Sequence, residues 1–165
     1  MPIIRQAVPG DAPAVVALIN GLAAETDQMV LSPIDPARTE TVAKHLARLA
    51  EGPEFMLLAM AEETIVGFLL ASAESHPDRR GVVEIDIGVA EKFRGGGFGR
   101  RLLNAAEGHA VARGVHRLQL RVLSENSRAI ALYQAAGFEV EGLMRKVVRR
   151  GDALKDQYLM AKLLN

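Results

Sequence analysis

Cysteine is absent from this 165-residue chain, which excludes a disulfide framework, a thiol nucleophile and a thiolate metal site. Net charge is absent too. Twenty Lys and Arg residues against twenty Asp and Glu leave no bulk attraction to nucleic acid or to a membrane surface. No apolar run is long enough to span a bilayer, and no cleavable leader is recognisable, so a cytoplasmic protein is expected. His45, His76, His109 and His116 lack metal-ligand spacing, and nothing else asks for a metal. Repeats, low-complexity tracts and linkers are missing as well. The remainder is an ordinary globular composition, 49% hydrophobic and 24% charged, long enough to bury a substantial core. Residues 1–165 therefore read as one mixed α/β domain.

Apolar periodicity orders that domain. Ile3 to Ala7 suits a short strand, and Asp11 then stands as an N-cap before a helix with Val15, Leu18, Ile19 and Leu22 on one face. A second helix is expected between Asp35-Pro36 and Gly52-Pro53, with Val42, Leu46 and Leu49 as its apolar stripe. Phe55–Ala61, Thr64–Ala73 and Val82–Val89 read as strands. Beyond them come a helix carrying Leu102, Leu103, Ala106 and Ala110, a strand over 118–123, and a helix over 127–136 closed by Gly137. A final hairpin pairs 138–148 with 154–164 around Arg150-Gly151-Asp152.

Between the strand ending at Val89 and the helix containing Leu102, four glycines fall within five positions: Gly95, Gly96, Gly97 and Gly99. Glycines reach φ > 0 without a Cβ penalty and let backbone N–H groups approach a ligand closely. At a helix N-terminus such groups bind phosphate oxygens. Two familiar phosphate loops fail here. Gly99 is followed by Arg100-Arg101 rather than Lys-Ser/Thr, and Leu102 stands where a dinucleotide fingerprint needs its third glycine. A tight strand-to-helix turn without a ligand also fits the glycines alone.

The wider pattern resembles the GNAT family of N-acetyltransferases. Arg94, Gly97 and Gly99 match that family's phosphate loop, and Asn126 to Phe138 resembles its second signature. The resemblance implies a central twisted sheet, mixed and mostly antiparallel, flanked by helices and splayed between two central parallel strands. It also implies acetyl coenzyme A as co-substrate, a homodimer, and direct transfer of acetyl to a primary amine without a covalent enzyme intermediate.

The pyrophosphate then falls to the loop Arg94-Gly95-Gly96-Gly97-Phe98-Gly99-Arg100, with Arg94 and Arg100 adding charge. Backbone atoms of Ile87, Gly88 and Val89 would meet the pantetheine amides. Asn126 caps the following helix, and the resemblance gives it a cofactor contact as well. Tyr133 matches the family's general acid, protonating the departing thiolate; a phenol with a reference pKa near 10 carries that proton at neutral pH. The acceptor nitrogen must be uncharged to attack. Glu84 and Asp86 alternate on one strand face as proton acceptors, with Glu84 preferred.

The acceptor is open in kind: the C-terminal half resembles small-molecule members of the family, so amino acids, polyamines and amine-bearing antibiotics are expected, with residues 25–40 shaping their pocket. A protein N-terminus or lysine is the alternative acceptor. A silent acyl-coenzyme A sensor and a nucleotide-binding module are the competing classes.

Overall fold

In the computed structural model, which describes residues 2–165, the apolar runs become strands and the amphipathic stretches become helices. The strands are β1 (Ile3–Gln6), β2 (Phe55–Ala61), β3 (Thr64–Ala73), β4 (Val82–Val89), β5 (Arg117–Leu123), β6 (Glu139–Arg150) and β7 (Ala153–Leu163). The helices are α1 (Ala12–Glu25), α2 (Thr39–Arg48), α3 (Phe98–Ala112) and α4 (Ser127–Ala135). One sheet joins all seven strands in the order β1-β2-β3-β4-β5-β7-β6. Every neighbouring pair is antiparallel except β4 and β5. The mixed, mostly antiparallel sheet expected from the sequence is therefore present, with helices on both faces.

Side-chain alternation sends each strand's residues to two cores. Val83 and Ile85 of β4 join Leu102, Leu103 and Ala106 of α3 and Tyr133 of α4 on one face. On the other face Met56, Leu58 and Phe68 meet Val15 and Leu22 of α1 and Leu46 of α2. Arg113 closes the far end of α3 against β2. Its guanidinium donates to the carbonyls of Leu49 and Glu54 and lies over the Phe55 ring.

One local expectation changes. Asp11 precedes α1 but makes no side-chain cap for that helix. Its carboxylate instead accepts from Arg5 at 2.7 and 2.8 Å and from the Val8 amide at 2.8 Å. A fork between two opposite charges, reaching in from β1, takes the carboxylate that would otherwise cap the helix. Asp35 does cap: its Oδ1 accepts from the Ala37 amide at 2.9 Å.

The parallel pair decides where a ligand can enter. β4 and β5 pair only over Val82–Glu84 with Arg117–Gln119. Beyond that point β4 follows β3, and β5 follows β7 as far as Leu123 opposite Gln157. The strands part, and their facing backbone groups are left without a strand partner. The register of β4 on β3 is unbroken from Val83 to Val89, so no bulge disturbs its alternation.

Candidate active site

A cleft of about 640 Å³ fills the gap between the parted strands. Its donor side is built by the chain leaving β4. Arg94 turns back and donates from Nε to the Val89 carbonyl at 3.0 Å, tying the loop to the strand end. Glu25, the last residue of α1, accepts from the Glu91 amide at 3.0 Å and stands 3.8 Å from the Arg94 guanidinium. Phe98 is buried, edge-to-face with Phe93 at 6.1 Å, which pins the start of α3 into the core.

Gly95 and Gly97 take φ of 83° and 81°, backbone that a side chain strains. Gly97 is the N-cap of α3 and supplies no side-chain cap bond. The first-turn N–H groups are consequently free, concentrated at the positive end of the helix dipole. Arg100 and Arg128 line the same region of the cleft. This geometry suits a pyrophosphate: free backbone donors, a fixed dipole and cationic side chains.

Ile87, Gly88 and Val89 form the strand wall beside the loop. Gly88 also answers a packing demand on the opposite face. A Cβ there would stand 2.9 Å from Leu22 Cδ1 and 3.0 Å from both Met29 Cε and Phe68 Cε1. Asn126 caps α4, its Oδ1 accepting from the Ala129 amide at 3.2 Å, and lines the cleft.

Tyr133 sits on α4 two turns beyond Asn126, only 8% exposed, with its ring against Phe138. Among the described residues no side-chain nitrogen or oxygen is buried without a hydrogen-bond partner. The phenol oxygen, which has no partner in the protein, therefore opens into the cleft that Tyr133 lines. Burial, together with the charge of Asp86 across the gap, pushes its pKa well above the ordinary value. The hydroxyl stays protonated throughout the neutral range.

Glu84 and Asp86 share one face of β4 and both line the cleft, but their surroundings differ. The Glu84 carboxylate is 3.3 Å from Arg121 Nε and accepts from Gln119 Nε2 at 3.4 Å. Asp86 projects into the cleft with no such partner. Enclosure by the cleft walls raises its pKa first, repulsion from Glu84 adds to that, and Arg121 partly opposes both.

The acceptor side is roofed by the loop after α1. Thr26, Gln28, Met29, Val30 and Leu31 line the cleft, so the expected specificity segment contributes its first half only. Arg150, at the turn of the last hairpin, donates to the Met29 carbonyl at 2.9 Å and so pins that loop. Arg121, Arg128 and Gln157 also line the cleft, although sequence reasoning gave them no role. Neither Arg121 nor Gln157 carried a distinguishing signal, because β5 also holds Arg117 and Gln119 and β7 also holds Lys155, Asp156 and Lys162. No group of three His, Cys, Asp or Glu residues among those described could hold a metal, and no described helix is long and apolar enough to cross a membrane.

A splayed parallel pair leading through a glycine loop to an uncapped helix, opposite a protonated phenol, defines an acyl-coenzyme A-dependent transferase. The model of the acetyltransferase (GNAT) family matches residues 23–138, and the chain belongs to that family. The L-methionine sulfoximine/L-methionine sulfone acetyltransferase of Pseudomonas paraeruginosa is 30% identical over 147 residues, covering 87% of this chain and 84% of that protein. An acetyltransferase of the GNAT family from Streptococcus pneumoniae superposes with a TM-score of 0.90 at 30% identity over the full length of both chains. The ribosomal-protein-alanine N-acetyltransferase of Brucella melitensis superposes at 0.87 with 28% identity, covering 98% of this chain and 99% of that one. This protein is an acetyl-coenzyme A-dependent N-acetyltransferase, and the nucleotide-binding and silent-sensor readings are not favoured.

Proposed function

We propose that the chain, acting as one domain over residues 1–165, acetylates the amine of a small molecule in the cytoplasm, with Tyr133 as general acid and Asp86 as proton acceptor. The observation that carries this reading is the pairing across the splay of a protonated phenol with a carboxylate that has no partner in the protein. The donor's pyrophosphate rests on the first-turn amides of α3 and on Gly95 to Gly99, with Arg100 and Arg128 beside it. The arm lies along Ile87, Gly88 and Val89, and Asn126 borders it. Bound there, the thioester supplies an activated acetyl carbonyl.

The chemistry balances with these groups alone. The acceptor ammonium loses one proton to solvent; the uncharged nitrogen then forms the new C–N bond and gives a second proton to Asp86. The C–S bond breaks, and Tyr133 gives its proton to the departing sulfur, to be replaced from solvent. A carboxylate with a raised pKa is the stronger base, and Glu84 is already held by Arg121 and Gln119. Asp86 is accordingly favoured over Glu84, which the sequence alone preferred. Glu84 serves to position Arg121 and to raise the basicity of Asp86. Small acceptors are supported by the substrates named for the Pseudomonas relative.

Turnover of acetyl coenzyme A with an amine panel that includes L-methionine sulfone tests the proposal. Tyr133→Phe should lower kcat by about a hundredfold or more while acetyl coenzyme A still binds. Full turnover in that variant overturns the role of Tyr133. Acetylation of peptide N-termini or lysines, with no small amine accepted, overturns the acceptor class.

A further inference from the structure

Gln157 on β7 is 7% exposed and its side-chain amide makes no hydrogen bond within the protein, yet that amide is not sealed off. It lines the cleft, so the amide is directed into it. Burying an amide away from water without a partner costs on the order of 1–3 kcal/mol in proteins, so such groups are matched by water or by a ligand.

The register identifies its neighbours. Gln157 lies opposite Leu123, and Arg121 lies opposite Leu159, which makes Gln157 and Arg121 diagonal partners on one sheet face. Arg121 uses Nε toward Glu84 at 3.3 Å, and its guanidinium side chain is 47% exposed in the cleft. Among the described residues the Nη groups donate no hydrogen bond to a protein carboxylate. Across the splay, on β4, stand Asp86 and Glu84. The cleft floor is therefore divided by charge: carboxylates on β4, hydrogen-bond donors on β5 and β7.

From this juxtaposition we propose that Arg121 and Gln157 form a carboxylate-binding subsite, so that the acceptor is an α-amino acid. Its ammonium enters toward Asp86, and its carboxylate lies on the Arg121 Nη groups and the Gln157 amide. This rests on the small-molecule acceptor reading and narrows it. The carboxylate completes the hydrogen bonding of Gln157 and spreads the charge of Arg121, and both groups select the end of the molecule that does not react. Neither touches the transferred acetyl group. Both act as specificity determinants.

Matched pairs of substrates test the subsite. Each pair is an α-amino acid and the amine left when its carboxyl group is replaced by hydrogen, with L-methionine sulfone heading the panel. The unmodified enzyme should favour the amino acid in kcat/KM by about tenfold or more. Gln157→Leu should reduce that ratio about tenfold, mainly through the KM of the amino acid. Gln157→Glu, an isosteric change that also guards against misfolding, should reduce it further by placing a negative charge against the carboxylate. Acetyl coenzyme A affinity, measured by titration calorimetry, separates a lost subsite from a damaged fold. Equal use of both members of a pair, or an unchanged ratio in both variants, overturns the subsite and leaves the small-amine reading standing. Binding of acetyl coenzyme A without turnover of any small amine overturns both.

Discussion

Arg150 on β6 donates from Nη2 to the Met29 carbonyl at 2.9 Å, and the same guanidinium reaches the Asp27 carbonyl at 3.4 Å. Two segments more than 120 positions apart in sequence are joined by this contact, the turn of the last hairpin and the loop that roofs the acceptor side. The loop has a second anchor: Asn20 accepts from the Ile34 amide at 2.7 Å and donates to its carbonyl at 2.9 Å. Arg150 holds the middle, where Met29 faces the cleft.

Loss of that hold should be felt by the acceptor and not by the donor. In Arg150→Ala the acceptor KM is expected to rise about tenfold, as for one or two charge-assisted bonds, while the dissociation constant of acetyl coenzyme A stays within twofold. Arg150→Lys should recover part of the effect, because one ammonium cannot span both carbonyls. Steady-state kinetics against each substrate in turn check this. An equal rise in both constants would show that Arg150 serves the whole fold.

Gly88 separates packing from catalysis. Its missing Cβ leaves room for Leu22 and Phe68, which are fully buried and cannot move aside, and for Met29, which can. Gly88→Ala is expected to cost about 1–3 kcal/mol in urea unfolding and to raise the acceptor KM by displacing Met29 into the cleft. Unchanged stability would mean that α1 shifts freely, contrary to the packing described.

The pH dependence follows from the surroundings of Asp86. Its pKa is raised, so kcat should fall on acidification with an apparent pKa above the ordinary carboxylate value. Removing the Glu84 charge in Glu84→Gln lowers the pKa of Asp86 and should move the acid limb to lower pH. Arg121→Gln removes the opposing cation and should move it to higher pH. Opposite shifts in the two variants distinguish Asp86 from a titrating substrate amine, which would not follow them.

Stability supplies the matching sign. A carboxyl whose pKa is raised by folding holds its proton more tightly in the native state. Its stabilising contribution is complete below the unfolded-state pKa and disappears as pH climbs to the folded value. At neutral pH the charged Asp86 therefore opposes folding. Asp86→Asn should raise Tm by about a degree or two near pH 7 while sharply reducing turnover, a gain that shrinks to nothing in acid.

Much of the fold is legible locally. β2, β3 and β4 fall on the runs Phe55–Ala61, Thr64–Ala73 and Val82–Val89 because each is a short, mainly apolar stretch bounded by polar turns. The glycine loop and the start of α4 at Asn126 are legible for the same reason, since φ near 80° and helix capping are requirements of single residues. Asp11 escaped because its partner, Arg5, comes from another element. A choice between Glu84 and Asp86 meets the same limit: on β4 they are equivalent, and only Arg121 and Gln119 on the next strand distinguish their surroundings.

By itself, then, the sequence determined the strands, the helices and the glycine loop, all of which depend on short-range periodicity and backbone conformation. Only the tertiary structure decided the acceptor side. β4 and β5 part after Glu84, and the gap between them collects Tyr133 from α4, Asp86 from β4, Gln157 from β7 and a roof held by Arg150. Those residues lie far apart along the chain, and their burial, charge and free hydrogen-bonding groups acquire meaning only from the neighbours that folding provides.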